Sequence, residues 1–299
     1  MNSRLWLGLA LGMGASVIWG AHAVVARISL AGQGLHPFDL IACRFLISGL
    51  ILAPLVWRER AALIRLGLPK LLVLTAMGGV GNLMVFTTAL LYAPASHGGT
   101  IPPITGPIMG ALAGYLLLGE NPTRGRVAAL GLMLLGVLFI GWDGLSTDAP
   151  DVWKGDILLF LAGVSWGFFG ALLRRWQAPA FATASAMAIV SAIIILPLWL
   201  GTSAADFLAR PAWLQLWVGF AQGIMLGVVS MQMFTRSLEI LGPTRAATLS
   251  VMVPVTALLL SATVLGEPIG AKQVLGAVLA ILGMLGAVTL TGNARVRGG

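Results

Sequence analysis

The chain has 299 residues, of which 58% are hydrophobic and 9% charged, whereas a water-soluble domain carries about 25% charged side chains. Most of it must therefore be surrounded by lipid, and ten crossings of roughly 20 apolar residues each, with short connections, account for nearly the whole length. The net charge of +8 comes from Lys and Arg dispersed at the ends of apolar runs, without the basic stripe and interleaved aromatics of a nucleic-acid binder, so nucleic acid is excluded as a partner.

The first apolar run spans 5–30. Arg4, the run behind it and Ala21-His22-Ala23 imitate a cleaved leader, but apolarity continues through Val24, Val25 and Ile28, so the run reads as a first crossing. His22 stands in its middle, one turn from Trp19, and an ionisable group at that depth points to a solute pathway or proton relay. The second run, 38–57, holds the only cysteine, Cys43, which has no partner for a disulfide or metal motif. Arg27, Asp39 and Arg44 fall toward one end of these two runs and are expected to form an ion-pair cluster at the mouth of the protein, with attraction of a substrate carboxylate as the alternative.

The third run, 70–92, carries Asn82 and Phe86, and the fourth, 96–118, opens on His97, which reads as interfacial, followed by Thr100. Pro102, Pro103 and Pro107 mark kinks or breaks that a membrane bundle tolerates. A fifth run at 124–142 leads into a linker, 143–154, with Asp143, Asp148 and Asp151. Trp166 and Phe169 lie in the sixth run, 155–175, and Gln222 in the eighth, 213–238, after a seventh at 181–200. The ninth, 243–265, contains Ser250 and Pro254, and the tenth, 271–291, carries small residues at Gly276, Ala280, Gly283 and Ala287 that suit close helix packing.

Polar groups and rings at depth define the candidate solute site: Trp19, His22, Asn82, Phe86, Thr100, Trp166, Phe169, Gln222 and Ser250. Rings offer contact area and the indole N–H a directed donor, while Asn and Gln amides cannot return their hydrogen bonds to the helix as Ser and Thr do. Each of these residues also has a purely structural use in helix packing. No Asp or Glu falls in the middle of a run, so His22 is the one titratable group expected at depth, and proton antiport and facilitated diffusion both stand open.

Thirteen Lys and Arg fall on one side of the expected bundle and only Lys154, Arg210 and Lys272 on the other, which by the positive-inside rule puts both termini in the cytoplasm. The chain also repeats itself. Leu118-Gly119-Glu120 and Leu265-Gly266-Glu267 are 147 residues apart, and the same offset pairs Trp19-Gly20 with Trp166-Gly167, Arg27 with Arg174, Pro107 with Pro254 and Gly136 with Gly283. Five crossings per repeat force the halves into opposite orientations, an architecture of secondary transporters whose solute site lies near the midplane.

Those residues resemble the drug/metabolite transporter superfamily, specifically its EamA-type branch, through the Trp-Gly pair of each first helix and the Gly-Glu ending of each fourth helix before Pro122 or Pro268. By general similarity the chain looks most like amino-acid exporters of the YddG type. The resemblance implies an all-α membrane protein of ten helices in two inverted five-helix repeats, 5–142 and 155–291. It further implies a cavity between the repeats, with the fifth and tenth helices at the periphery, where they can mediate a homodimer; a monomer is equally compatible. The expected activity is export of small amphipathic metabolites, foremost amino acids, across a bacterial-type inner membrane by alternating access. Multidrug or other-metabolite efflux is the alternative of the same fold.

Gly163-Val164-Ser165-Trp166-Gly167 fits the serine-hydrolase elbow G-x-S-x-G, but it lies inside an apolar helical run rather than at a strand-to-helix turn. With no Walker loop and no zinc motif, no catalytic residue, metal or cofactor is expected, leaving a small-molecule substrate and membrane lipid as partners.

Overall fold

The computed structural model describes residues 3–146 and 151–289, which form helix without strand. Part of the linker with Asp148, the end of the tenth run, and Arg295 and Arg297 lie outside the described residues. In chain order the helices are α1 (Ser3–Arg27), continued by a π-turn (Ile28–Gly32), α2 (Pro37–Arg58), α3 (Arg60–Leu66), α4 (Leu68–Gly78), α5 (Val80–Ala89), α6 (Ala95–Gly98), α7 (Ile101–Leu118) and α8 (Arg124–Ser146). The second half comprises α9 (Val152–Arg175), α10 (Ala180–Leu200), α11 (Ala204–Leu208), α12 (Ala212–Val218), a π-helix (Gly219–Val229), α13 (Ser230–Leu241), α14 (Pro243–Leu249), α15 (Met252–Val264) and α16 (Ala271–Thr289). Each expected apolar run is largely helical over its described residues. Among the described residues, eight stretches are long and apolar enough to cross a membrane, and α15 is a shorter apolar helix. Leu50, Ile64 and Leu216, each more than 70% exposed, belong to an apolar exterior that water would not tolerate.

The reason for the Leu-Gly-Glu repeat is visible at the ends of α7 and α15. Gly119 and Gly266 have φ of 68° and 65°, the left-handed conformation that ends a helix and that only glycine adopts without strain. The following amide then turns back, Glu120 N onto Gly114 O at 3.2 Å and Glu267 N onto Ser261 O at 3.1 Å. Glu267 thereby reaches away to α6, whereas the Glu120 carboxylate folds back beside Gly114 of α7, where it meets Arg174.

Packing obeys the repeat as well. A Cβ on Gly20 would lie 2.7 Å from Val253 O, and one on Gly167 2.6 Å from Gly106 O. These are the same contact seen twice, the first helix of each repeat backbone-to-backbone on the broken fourth helix of the other. The small residues of α16 are used inside the chain: Gly276 faces Gly136 O and Gly283 faces Ala129 O, both on α8. The close packing expected of this stripe thus takes place within the chain, where α8 and α16 cover each other's small-residue faces.

Two ends of the bundle are distinguishable. At one, which we call the vestibule end, Glu267 reaches the start of α6 and Arg210 reaches the Gly34 carbonyl. At the other, the basic end, Arg174 and Arg175 of α9 reach Glu120 and the Leu117 carbonyl beside the turn that follows α7. Several of the apolar runs are interrupted: the third breaks at Gly79, the fourth between α6 and α7, the eighth becomes a π-helix and the ninth breaks between α14 and α15. Such interruptions free backbone groups where a cavity or a moving joint can use them.

Candidate functional site

At the vestibule end a cavity of about 670 Å³ opens between the start of α2, the end of α5 and the α10–α12 connection. Its floor is a buried carboxylate network. Asp39 accepts from the Trp199 indole N–H at 2.8 Å, the Ser203 hydroxyl at 2.6 Å and the His36 amide at 2.8 Å. The last bond, with Phe38 N donating to His36 Nδ1 at 3.2 Å, is a capping box that starts α2 at Pro37. Asp39 is only 2% exposed, and three donors satisfy its charge.

Below this floor, in the direction of the basic end, lies the second cluster. Arg44 donates through a guanidinium nitrogen to His22 Nε2 at 3.1 Å, and the His22 ring stacks on Phe86 with centroids 4.7 Å apart. One turn away, Trp19 donates its indole N–H to Ser230 at 3.0 Å and leans on Phe234 at 4.8 Å. Four spans thus contribute, through α1, α2, α5 and α13. A guanidinium has only donors, so His22 Nε2 must act as an acceptor and the ring must be neutral in this arrangement.

The expected Arg27–Asp39–Arg44 ion-pair cluster does not form. Arg27 donates to the Leu90 carbonyl, Asp39 is committed to Trp199 and Ser203, and Arg44 turns to His22. The physical reason is helical phase: residues five apart on one helix project about 140° from each other, so Asp39 and Arg44 cannot share a face. Among the described residues Arg44 has no carboxylate partner. His97, expected at an interface, is buried and paired with Asp156 at 2.7 Å.

Of the sequence-predicted residues, Trp19, His22 and Phe86 meet. Asn82 is close by on α5 but donates to the Ala162 carbonyl of α9 at 2.7 Å, tying the two repeats together. Thr100 is fully buried and returns its hydroxyl to Ser96 O at 2.7 Å, a use the helix itself explains. Trp166 and Phe169 touch each other at 5.2 Å, but Trp166 is 52% exposed and Phe169 packs in a separate apolar cluster with Leu71 and Leu74. Ser250 sits at the break before α15. Gln222 is fully buried in the π-helix, and neither atom of its amide has a partner. Ser165 of the hydrolase-like motif donates to Met77 O at 2.7 Å from mid-helix, so its hydroxyl also has a structural bond.

The residues that sequence reasoning missed are Asp156, Phe234, Trp199 and the reach of Glu267. Ser230 and Phe234 lie four apart on α13, a spacing that signals a shared face but cannot name what faces it.

Comparison with known proteins accords with this architecture. The sequence profile of the EamA-like transporter family matches residues 6–142 and again 153–289, so the two matches are themselves offset by 147 residues. Two relatives from Bacillus subtilis (strain 168), the uncharacterized transporters YyaM and YwfM, are each 25% identical, over 281 and 277 residues, in alignments that cover 91% of this chain and 90% of the relative. A solved crystal structure of a protein superposes with a TM-score of 0.62 at 20% identity, covering 97% of this chain and 99% of its own, which extends the likeness in fold. With the same family profile fitting both halves of one chain, this protein belongs to the EamA-like transporter family.

Proposed function

We propose that the protein is a secondary transporter that exports small amphipathic metabolites carrying a carboxylate, amino acids foremost, by alternating access through the space between its repeats. The observation that carries this reading is Arg44, an arginine at membrane depth whose side chain meets an imidazole and, among the described residues, no carboxylate. A charge in that setting is expensive unless a partner neutralises it, and a solute carboxylate is a partner that would supply the missing charge. The rings of Phe86, Trp19 and Phe234 beside it suit an apolar or aromatic side chain. The unpartnered amide of Gln222 supplies a further polar contact for a solute or a water.

In this reading the repeats are 5–142 and 155–291, and the ten helical spans all cross the bilayer. The basic end faces the cytoplasm of a bacterial-type inner membrane, with both termini on that side. The conformation described is latched at the vestibule end, where Glu267 engages α6.

Counterflow in proteoliposomes tests the proposal. Vesicles preloaded with amino acids, one mixture per charge class, are expected to accumulate tracer saturably. Counterflow with cationic drugs and with no amino acid would transfer the protein to the multidrug reading, and unsaturable leakage would overturn the carrier mechanism.

A further inference from the structure

We propose that His97 and Asp156 form a proton-binding pair whose protonation closes the vestibule end. The proposal builds on the carrier reading above.

The pair lies between the repeats. His97 is on α6, the four-residue first segment of the broken fourth span, and Asp156 is near the start of α9, the first helix of the second repeat. Their side chains are 4% and 13% exposed, with Nδ1 and Oδ1 2.7 Å apart. Asp156 Oδ2 is buried with no partner. That differs from the committed carboxylate of Asp39, which has three donors: Asp156 retains an unused acceptor where a structural ion pair would be saturated.

The helix that carries His97 is a latch. Glu267 accepts from the Ala95 and Ser96 amides at 2.8 and 3.0 Å, and Gln273 donates to the Ser96 hydroxyl at 3.0 Å. Glu267, Gln273 and Asp156 all belong to the second repeat, so opening this end requires α6 to leave all three. The elements packed on α6 bring few other charges. Glu267 follows α15, Arg27 of α1 is bonded to the Leu90 carbonyl, Lys154 of α9 is paired with Asp151 at 2.7 Å, and α7 brings none.

The sign of the effect follows from this set. With one proton bound to the imidazole, the pair is an imidazolium and a carboxylate and is neutral as a whole. Release of that proton to the vestibule leaves the pair with a net negative charge on Asp156 in a dry contact with α6, a short helix that a second carboxylate, Glu267, also engages. The protonated pair therefore favours the latched arrangement and the deprotonated pair favours its opening into water, so closure is strong at acid pH and is lost as pH rises. His22 does not serve this purpose here, because its Nε2 is occupied as an acceptor from Arg44.

The repeat supplies an internal control. At the offset of 147, the position that answers to Asp156 is Leu9, and the position that answers to His97 is Thr244. Neither a leucine nor a threonine binds or releases a proton near neutrality. Only one of the two gates has the pair.

The experiment reads the gate without any solute. In a Cys43→Ala background, spin labels at Leu91→Cys and Leu208→Cys, both exposed at the vestibule end, report its width in lipid nanodiscs between pH about 5.5 and about 8.5. The expected result is a shift to longer distances as pH rises, absent in His97→Gln and in Asp156→Asn, both checked for an unchanged melting temperature. A pH-independent distance in the parent, or a shift that survives both substitutions, overturns the proposal. A second readout uses the amino acid found by counterflow: its rate is expected to change between pH about 5.5 and about 8.5 in the parent and to lose that change in either variant, and a change that survives both substitutions overturns the proposal. Because the distance measurement needs no substrate, it separates failure of the proton site from failure of the amino-acid assignment.

Discussion

Arg44 is the side chain at which the proposed recognition of a carboxylate can be tested. In Arg44→Gln the side chain can still donate toward His22, but its charge is gone, so a carboxylated solute loses a charge-assisted contact worth about 1.5–3 kcal/mol. We expect the half-saturation concentration for an amino acid to rise at least about tenfold, with little change for the corresponding decarboxylated amine, measured by competition in counterflow. Equal effects on both compounds would assign Arg44 to the architecture of the bundle. The sequence already singled out Trp19, His22 and Phe86, because rings and an imidazole inside long apolar runs have few uses besides packing and contact with solute. The side of the helix on which Arg44 acts was beyond its reach. Asp39, five residues earlier, looked like the natural counter-ion, and only the meeting of α2 with α1 and α10 shows each taking a different partner. Asp156 was missed for a related reason, since one carboxylate beside Lys154 and Asp151 resembles an interfacial charge until its helix is seated against α6.

Among the elements, α8 and α16 show how a stripe of small residues gains its meaning only from what covers it. Gly136 O lies 2.6 Å from a Cβ built on Gly276, and Gly283 meets Ala129 O at 2.7 Å, so the two helices touch backbone to backbone. Gly136→Val must push them apart, at a cost of about 1–3 kcal/mol by analogy with overpacked cores. The expected readout is a lower melting temperature in detergent with the mass of the particle unchanged in light scattering. A changed mass with no change in melting temperature would assign the stripe to an interface between copies. Helix locations were legible because a run of about 20 apolar residues has few alternatives to a span. The breaks were only partly so. Pro102, Pro103 and Pro254 marked the interruptions in the fourth and ninth spans, whereas the π-helix at Gly219–Val229 has no proline to announce it.

At the scale of the whole molecule, the two glutamates of the repeated motif are in different states. Glu267 holds the start of α6 through both carboxylate oxygens, while its counterpart Glu120 is partly exposed and paired with Arg174 at 2.7 Å. If the repeats exchange conformations during transport, as inverted halves can, the vestibule end opens when Glu267 lets go. Glu267→Gln keeps the shape but weakens two charge-assisted bonds to backbone amides, each worth about 1.5–3 kcal/mol. A loss of that size moves a two-state equilibrium by roughly tenfold or more toward the open form. At a fixed acid pH, where the His97–Asp156 pair favours closure, the labels at positions 91 and 208 should therefore report a wider vestibule in Glu267→Gln than in the parent. Glu120→Gln removes an exposed ion pair at the opposite end, worth about 0–1 kcal/mol, and should leave that distance distribution in place. The same distance in Glu267→Gln and the parent would mean that α6 is held by packing alone, and that the broken fourth span is not the part of the first repeat that moves.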